Sequence, residues 1–151
     1  MRDILTREGV HYEHLQIQPT PFNTLLWRVV GVNGDSYFEG FWSLVSPEQG
    51  LTLTHHEHRP DLLAGIKQEP AIQRLRWFTK GLYRVVLVGE DVVIGDLRMG
   101  VDPDYVFSFR VAGIGNPYPR SIVPERVRTE GKGSGLDLCF LDQTDNPTRA
   151  F

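Results

Sequence analysis

Apolar residues recur along this chain with the two-residue period of a β-strand. From Tyr105 to Ala112 every second side chain is aromatic or β-branched, which predicts a strand with one buried face. Leu25–Val32 and Ser36–Val45 are apolar on both faces and flank the turn signal Asn33-Gly34-Asp35. They predict a hairpin that is covered on both sides.

The spacing changes to that of a helix after Pro70. Ile72, Leu75 and Phe78 lie three residues apart and share one helical face. Pro70 suits the first helical position and Gly81 suits the end. We therefore expect one main helix here. Two further strands are predicted after it, at Leu82–Val88 and Val92–Leu97.

Weaker signals complete the order of elements, and the glycines and prolines after Gly113 predict loops. These signals predict a short helix at Asp3–Gly9, an extended segment at Val10–Ile17, a short strand at Leu51–Thr54, a polar loop at His55–Pro60, one helical turn at Pro124–Thr129 and a late strand at Leu136–Leu141.

This order is typical of an α+β domain. We expect a single curved, mostly antiparallel sheet of five to six strands, packed by the one main helix. Residues 1–113 are expected to form the core domain. Residues 114–151 are expected to form an irregular, loop-rich extension that packs on the core or trails from it.

Composition narrows the class of protein. Forty per cent of the 151 residues are hydrophobic, so a folded core is expected, and a net charge of −3 gives no reason to expect a nucleic-acid partner. Cys139 is the only cysteine, which excludes an internal disulfide and fits a reducing compartment. No apolar run reaches the roughly 18–20 residues of a membrane helix, so we expect a soluble chain. No phosphate loop, nucleophile motif or paired carboxylates nominate a catalytic residue.

Asp96 and Arg98 lie two apart at the end of a predicted strand, and a symmetric turn near Asp102 would place Asp96 opposite Ser108. A carboxylate and a guanidinium at this position form either a structural ion pair or a contact for an anionic ligand. Arg28 interrupts an apolar strand and needs an acidic partner, for which Glu39 on the return strand is a candidate.

Trp77 and Lys80 lie off the apolar face of the predicted helix, beside Gln73 and Arg76. They mark a contact patch for a partner, or else Trp77 packs under a neighbouring loop. Asn23 follows a stiff proline-containing segment and is either part of a rigid corner or a binding residue.

Three histidines, His55, His56 and His58, fall within four residues and suggest metal binding. Their spacing is not the HExxH spacing of a zinc helix. The simpler interpretation is an exposed polar loop.

Three segments, PTPFNTLLWRVV (19–30), LRWFTKGLY (75–83) and DLRMG (96–100), are followed by the strand YVFSFRV (105–111). Together they resemble the soluble C-terminal part of the bacterial membrane-bound metal-dependent hydrolases, also described as inner-membrane-associated, LexA-binding hydrolases. The resemblance covers about residues 3–112. It implies a parent protein of the inner membrane, with N-terminal membrane helices that carry the metal-binding residues, which this chain lacks.

Three functions remain open. The resemblance favours an accessory domain that recognises a substrate or partner near the bilayer, with the cytoplasmic side slightly favoured. Its candidate partners are the membrane portion of the parent protein and a second protein. No cofactor is expected in this chain, although the family implies a divalent metal. Its binding residues would be Asn23, Arg28, Trp77, Lys80, Asp96 and Arg98. The alternatives are a self-contained metal-assisted hydrolase that uses His55–His58, and a structural domain that forms homo-oligomers through its strand edges.

Overall fold

The computed structural model describes residues 2–46, 48, 50–115 and 119–127. Within these residues, two four-stranded antiparallel sheets and a two-stranded ribbon are accompanied by two α-helices and a 3₁₀ helix. The predicted α+β class and the antiparallel pairing are confirmed. The expectation of a single curved sheet with one main helix is wrong, because the strands are divided between separate sheets.

The first sheet follows chain order, and its central hairpin is the one predicted around Asn33-Gly34-Asp35. One face packs against helix α1 (Arg2–Arg7) through Leu5, Val29 and Phe38, all of which are buried. The strands of the first sheet are β1 (His14–Thr20), β2 (Asn23–Asn33), β3 (Ser36–Ser43) and β4 (Thr52–Glu57).

The second sheet also has four strands, and the predicted main helix packs on it as α2 (Pro70–Phe78). Ile72 of this helix joins Leu63 of the 3₁₀ helix (Pro60–Leu63) over the buried side chains of the sheet. The strands are β5 (Tyr83–Val88), β6 (Asp91–Asp96), β9 (Ser108–Gly113) and β10 (Arg120–Val127). Their order across the sheet is β10-β9-β6-β5.

A short ribbon, β7 (Gly100–Val101) and β8 (Asp104–Tyr105), separates β6 from β9. It interrupts the continuous strand that the sequence predicts from Tyr105 to Ala112. Tyr105 instead joins a small buried cluster that links the first sheet to the chain around the ribbon. The members of this cluster are Val30, Val32, Tyr37, Leu82, Leu97 and Tyr105.

Two local predictions are wrong for reasons of strand pairing. The expected loop at His55–Pro60 is partly strand, because residues 55–57 complete the ladder with β3. The helical turn expected at Pro124–Thr129 is wrong for residues 124–127, which belong to strand β10 and pair with the edge of β9. Arg128 and Thr129 lie outside the described residues. Pro124 is tolerated because it falls where the register shifts and no ladder hydrogen bond is needed. The strand predicted at Leu136–Leu141 lies outside the described residues.

Candidate binding site

A connected set of buried charged and phenolic side chains lies between the first sheet and the ribbon. Arg28 is 3% exposed and donates one hydrogen bond of 2.7 Å to Glu39 and another of 2.7 Å to the backbone carbonyl of Leu97. The predicted partnership of Arg28 with Glu39 is confirmed. Since both side chains are buried, each neutralises a charge that would be costly to leave alone.

A second ion pair continues the set. Arg84 donates to the Asp102 carboxylate at 2.6 Å and to the Pro103 carbonyl at 2.7 Å, and Tyr37 donates its hydroxyl to the same carboxylate. The backbone N–H of Asp102 donates to Glu39 at 3.1 Å and so joins the two pairs. Two guanidinium groups thus face two carboxylates, and we call this set the ion network.

Aromatic rings enclose the ion network. The Tyr105 ring lies 4.5 Å from the Arg84 guanidinium carbon, and His56 stacks on Tyr37 with ring centroids 4.8 Å apart. Burial raises the pKa of Tyr37 and of Tyr105, and in Tyr37 the hydrogen bond to Asp102 raises the pKa further. Both phenols therefore stay protonated and act as neutral hydrogen-bonding groups. The cations and carboxylates of the ion network pair with each other, and Arg84 also binds the backbone of the ribbon. The ion network therefore holds the ribbon in place.

The sequence argument missed Arg84, Asp102 and Tyr37 as members of this network. Arg84 carries the same signal as Arg28, a guanidinium within an otherwise apolar strand, and that signal demands a buried acid. The position of Asp102 depends on the ribbon, for which the sequence gives no periodic pattern.

A groove of about 600 Å³ lies beside the network, between the β1–β2 turn and the ribbon. Arg98 lines it and forms a two-pronged ion pair with Asp96, with nitrogen–oxygen distances of 2.9 and 2.6 Å. The hydrogen bonds to Asp96 raise the pKa of Arg98. The structural ion pair predicted for these two residues is therefore present. The predicted pairing with Ser108 is wrong by one residue, since Ser108 lies opposite Gly95.

The rest of the groove is mostly apolar. Four apolar side chains of its lining are exposed, Met99 at 53%, Val106 at 47%, Val101 at 42% and Phe41 at 39%. Next to it, at the β1–β2 turn, Phe22 is fully exposed and has a positive φ of 61°. The other lining residues are Gln18, Pro19, Thr20, Pro21, Arg28, Gly100 and Asp104.

Asn23 has a local role in the same turn. Its side-chain oxygen accepts a hydrogen bond of 3.0 Å from the backbone N–H of Leu25. This is the turn-stabilising contact that asparagine commonly makes. The interpretation of Asn23 as part of a rigid corner therefore has direct support, and the residue does not line the groove.

Trp77 and Lys80 lie apart from the groove. Trp77 is 79% exposed, so the interpretation that it packs under a loop is wrong. It lines a second cavity of about 560 Å³, which shares no lining residue with the groove. Lys80 follows the helix with a positive φ of 54°. The six predicted binding residues therefore do not form one surface.

The three clustered histidines do not converge. His55 and His56 are neighbours on β4, so they point to opposite faces of the sheet. His58 is 3% exposed and its Nδ1 accepts a 3.0 Å hydrogen bond from the backbone N–H of Val85. Burial lowers the pKa of His58. Among the described residues, no group of three or more His, Cys, Asp or Glu side chains is arranged to hold a metal ion.

Within the part of the chain that the structure describes, neither α-helix is long and apolar enough to span a membrane. No protein-family model, curated protein or solved structure matches the chain. The resemblance to the membrane-bound metal-dependent hydrolases stays a prediction from its sequence motifs.

Proposed function

We propose that this chain is a recognition domain that binds an apolar segment of a partner polypeptide in the groove. In keeping with the resemblance, it would serve as the accessory domain of a membrane-bound metal-dependent hydrolase. The observation that carries the proposal is the concentration of exposed apolar side chains around one concave surface. Exposed apolar residues gathered in this way are typical of an interaction site, whereas scattered ones are not.

The exposed apolar side chains of the groove contribute favourably to the binding of an apolar segment. Complete burial of an aliphatic side chain is favourable by about 1.5–3 kcal/mol. Met99, Val101, Val106 and Phe41 are each roughly half exposed, so covering all four contributes on the order of 3–6 kcal/mol. Phe22 beside the groove offers a further aromatic anchor, a residue type that commonly dominates interfaces.

The charges at the groove favour a polypeptide over a bilayer surface. Arg28 and Arg98 are both paired with carboxylates, and Asp104 adds a negative charge to the lining. An anionic bilayer attracts unpaired cations, which the groove does not present. Gln18 and Thr20 of the lining belong to β1, an edge strand of the first sheet. The backbone of an edge strand offers hydrogen-bonding partners to an extended peptide.

Photocrosslinking in the cell that produces the protein tests this proposal. A benzophenone amino acid is placed at Met99, inside the groove, or at Val123, which is 88% exposed on β10 and serves as the matched control. We expect the Met99 position to give adducts with one defined segment of a partner, and the Val123 position to give none. Lipid adducts, or equal patterns at both positions, would overturn the proposal. Adducts between two copies of this chain would assign the groove to self-association instead.

The accessory role has its own test in the reading frame upstream of Met1. About four hydrophobic spans of the length that crosses a bilayer are expected there if the resemblance is correct. A stop codon directly upstream would remove the accessory role and leave the groove proposal standing.

A further inference from the structure

The second cavity presents two cations without partners. Lys67 and Arg76 both line it, and neither side chain has a hydrogen bond or ion pair within the described part of the chain. The Nε atom of Arg76 is buried and has no acceptor among those residues. The arginines of the ion network and of the groove, by contrast, each pair with a carboxylate. The Nε atoms of Arg28 and Arg84 also lack an acceptor, but the other nitrogens of those two guanidinium groups pair with carboxylates. Arg76 has no such pair among the described residues, so its guanidinium is available to an anionic ligand.

His58 adds a third donor to the same cavity. Its Nδ1 accepts the N–H of Val85, so the neutral ring carries its proton on Nε2. The residue is 3% exposed, and this second N–H has no acceptor among the described residues. Burial disfavours the charged ring and lowers the pKa of His58, which keeps it a neutral donor near pH 7.

Aromatic rings form another part of the wall. Trp77 is 79% exposed although it lies next to the cavity, and Tyr83 packs edge-on against the His58 ring with centroids 5.4 Å apart. An exposed indole beside cations offers a flat face to a planar group. The volume of about 560 Å³ lies within the range of small-molecule sites.

We propose that this cavity binds a small organic anion that carries a planar ring. The anionic group accepts hydrogen bonds from Arg76, Lys67 and the Nε2–H of His58, and the ring lies against Trp77. This site is separate from the groove and does not depend on the function proposed for it.

The acidic groups near the cavity permit an anion. Glu13 is the one carboxylate among the lining residues, against the two cations. Asp35 and Asp61 do not line the cavity, but they interact electrostatically with His58. Asp61 forms an ion pair with Arg59, with a nitrogen–oxygen distance of 2.7 Å. The lining therefore keeps a net positive charge when Glu13 is ionised.

Titration calorimetry on the whole chain tests the proposal with four probes, phenyl phosphate, benzoate, inorganic phosphate and phenol. We expect saturable binding of phenyl phosphate or benzoate, and the stronger of the two identifies the anionic group. Inorganic phosphate and phenol each lack one half of the ligand, so each is expected to bind about tenfold or more weakly. No saturable binding of either ring-bearing anion would overturn the proposal. Equal affinities for inorganic phosphate and phenyl phosphate would show that the ring does not contribute to binding, and would overturn that part of the proposal.

Variants of the helix locate the site. Arg76→Gln is expected to weaken binding by about tenfold or more, because a charge-assisted hydrogen bond is lost. Arg74→Gln is the matched control, since Arg74 is exposed on the same helix and does not line the cavity. Equal losses in the two variants would show non-specific attraction and refute the site. Arg76→Lys keeps the positive charge and serves as a second variant in case Arg76→Gln folds poorly. Its affinity is expected to lie between those of the wild type and Arg76→Gln.

Discussion

Replacing Arg28 with methionine tests whether the ion network stabilises the fold. The variant keeps much of the apolar length of the side chain but leaves Glu39, which is 7% exposed, without its cation. Breaking a buried ion pair in this way typically costs about 3–5 kcal/mol. Glu39 still accepts from the Asp102 N–H at 3.1 Å, which favours the lower end of that range. The Leu97 carbonyl also loses its donor, at a cost of about 1 kcal/mol, so we expect a total loss of about 4 kcal/mol.

A double variant separates the charge from the packing. Arg28→Met combined with Glu39→Gln removes both charges, while the amide oxygen of glutamine still accepts from Asp102. The remaining pair of Arg84 with Asp102 stays balanced. We therefore expect the double variant to be about 2 kcal/mol more stable than Arg28→Met alone, because no unpaired charge stays buried.

Urea denaturation followed by circular dichroism measures these free energies of unfolding. The Arg28→Met loss corresponds to a fall of roughly 8–16 °C in melting temperature for a domain of this size. Arg74→Met, an exposed change on α2, is the control and is expected to stay within about 0.5 kcal/mol of wild type. A loss below about 1 kcal/mol for Arg28→Met would refute the reasoning. So would a double variant that is no more stable than Arg28→Met alone.

Three further predictions concern single positions. Burial lowers the pKa of His58, so the unfolded chain binds a proton before the folded chain does as the pH falls below about 6.5. The free energy of unfolding is therefore expected to decrease as the pH falls below that value. His58→Asn, whose amide oxygen can accept the Val85 N–H, should reduce this decrease in urea titrations across pH 7 to 5. Lys80 has a φ of 54° just after the helix, a conformation that favours glycine. Lys80→Gly should therefore raise the free energy of unfolding by about 0.5–1 kcal/mol, and a decrease would show that the backbone at Lys80 is not strained. Gly40→Ala should lower the free energy of unfolding by about 2 kcal/mol or more, because the added Cβ would lie 2.4 Å from a backbone oxygen of β4. Gly113→Ala is the control in the same urea titrations and should be close to neutral, because no atom lies nearer than 3.9 Å to its added Cβ.

The hairpin of β2 and β3 could be predicted in detail because its information is local. The two-residue turn Gly34-Asp35 sets the register, which pairs Asn33 with Ser36 and Val30 with Glu39. Arg28 lies two residues before Val30 and therefore shares its face, so the partnership of Arg28 and Glu39 follows from the turn alone. In this part of the chain the fold and one contact of the network could both be read from the sequence.

The division into two sheets could not be predicted in the same way. Alternating apolar residues show that a segment is a strand but do not say which strand lies beside it. β4 and β5 are consecutive strands that end up at the edges of different sheets, because the 3₁₀ helix and α2 lie between them. The ion pair of Arg84 with Asp102 joins the second sheet to the ribbon. It could not be predicted, because it depends on how these two elements are placed relative to each other.

The exposure of Trp77 illustrates a further limit. Helical periodicity places its side chain off the apolar face of α2, and this is correct. Whether another segment covers that face depends on the path of the rest of the chain, which periodicity does not contain. The cavity beside Trp77 is formed partly by residues of the first sheet, such as His14 and Val32, that lie far away in sequence.

The ion network and the groove are parts of one arrangement. The groove wall from Leu97 to Asp104 has little regular structure of its own, since each strand of the ribbon has only two residues. Side chains from other strands hold its backbone in place. Arg28 donates to the Leu97 carbonyl, Gln18 donates to the Arg98 carbonyl at 2.9 Å, and Arg84 donates to the Pro103 carbonyl.

A wall held in this way needs little further ordering when a partner binds, and reduced ordering raises affinity for a given contact area. The network therefore contributes to recognition by positioning the groove, although its charges face inward. Arg28→Met should accordingly weaken the Met99 crosslink even at temperatures where the variant is folded. An unchanged crosslink in the folded variant would show that the wall keeps its shape without the network.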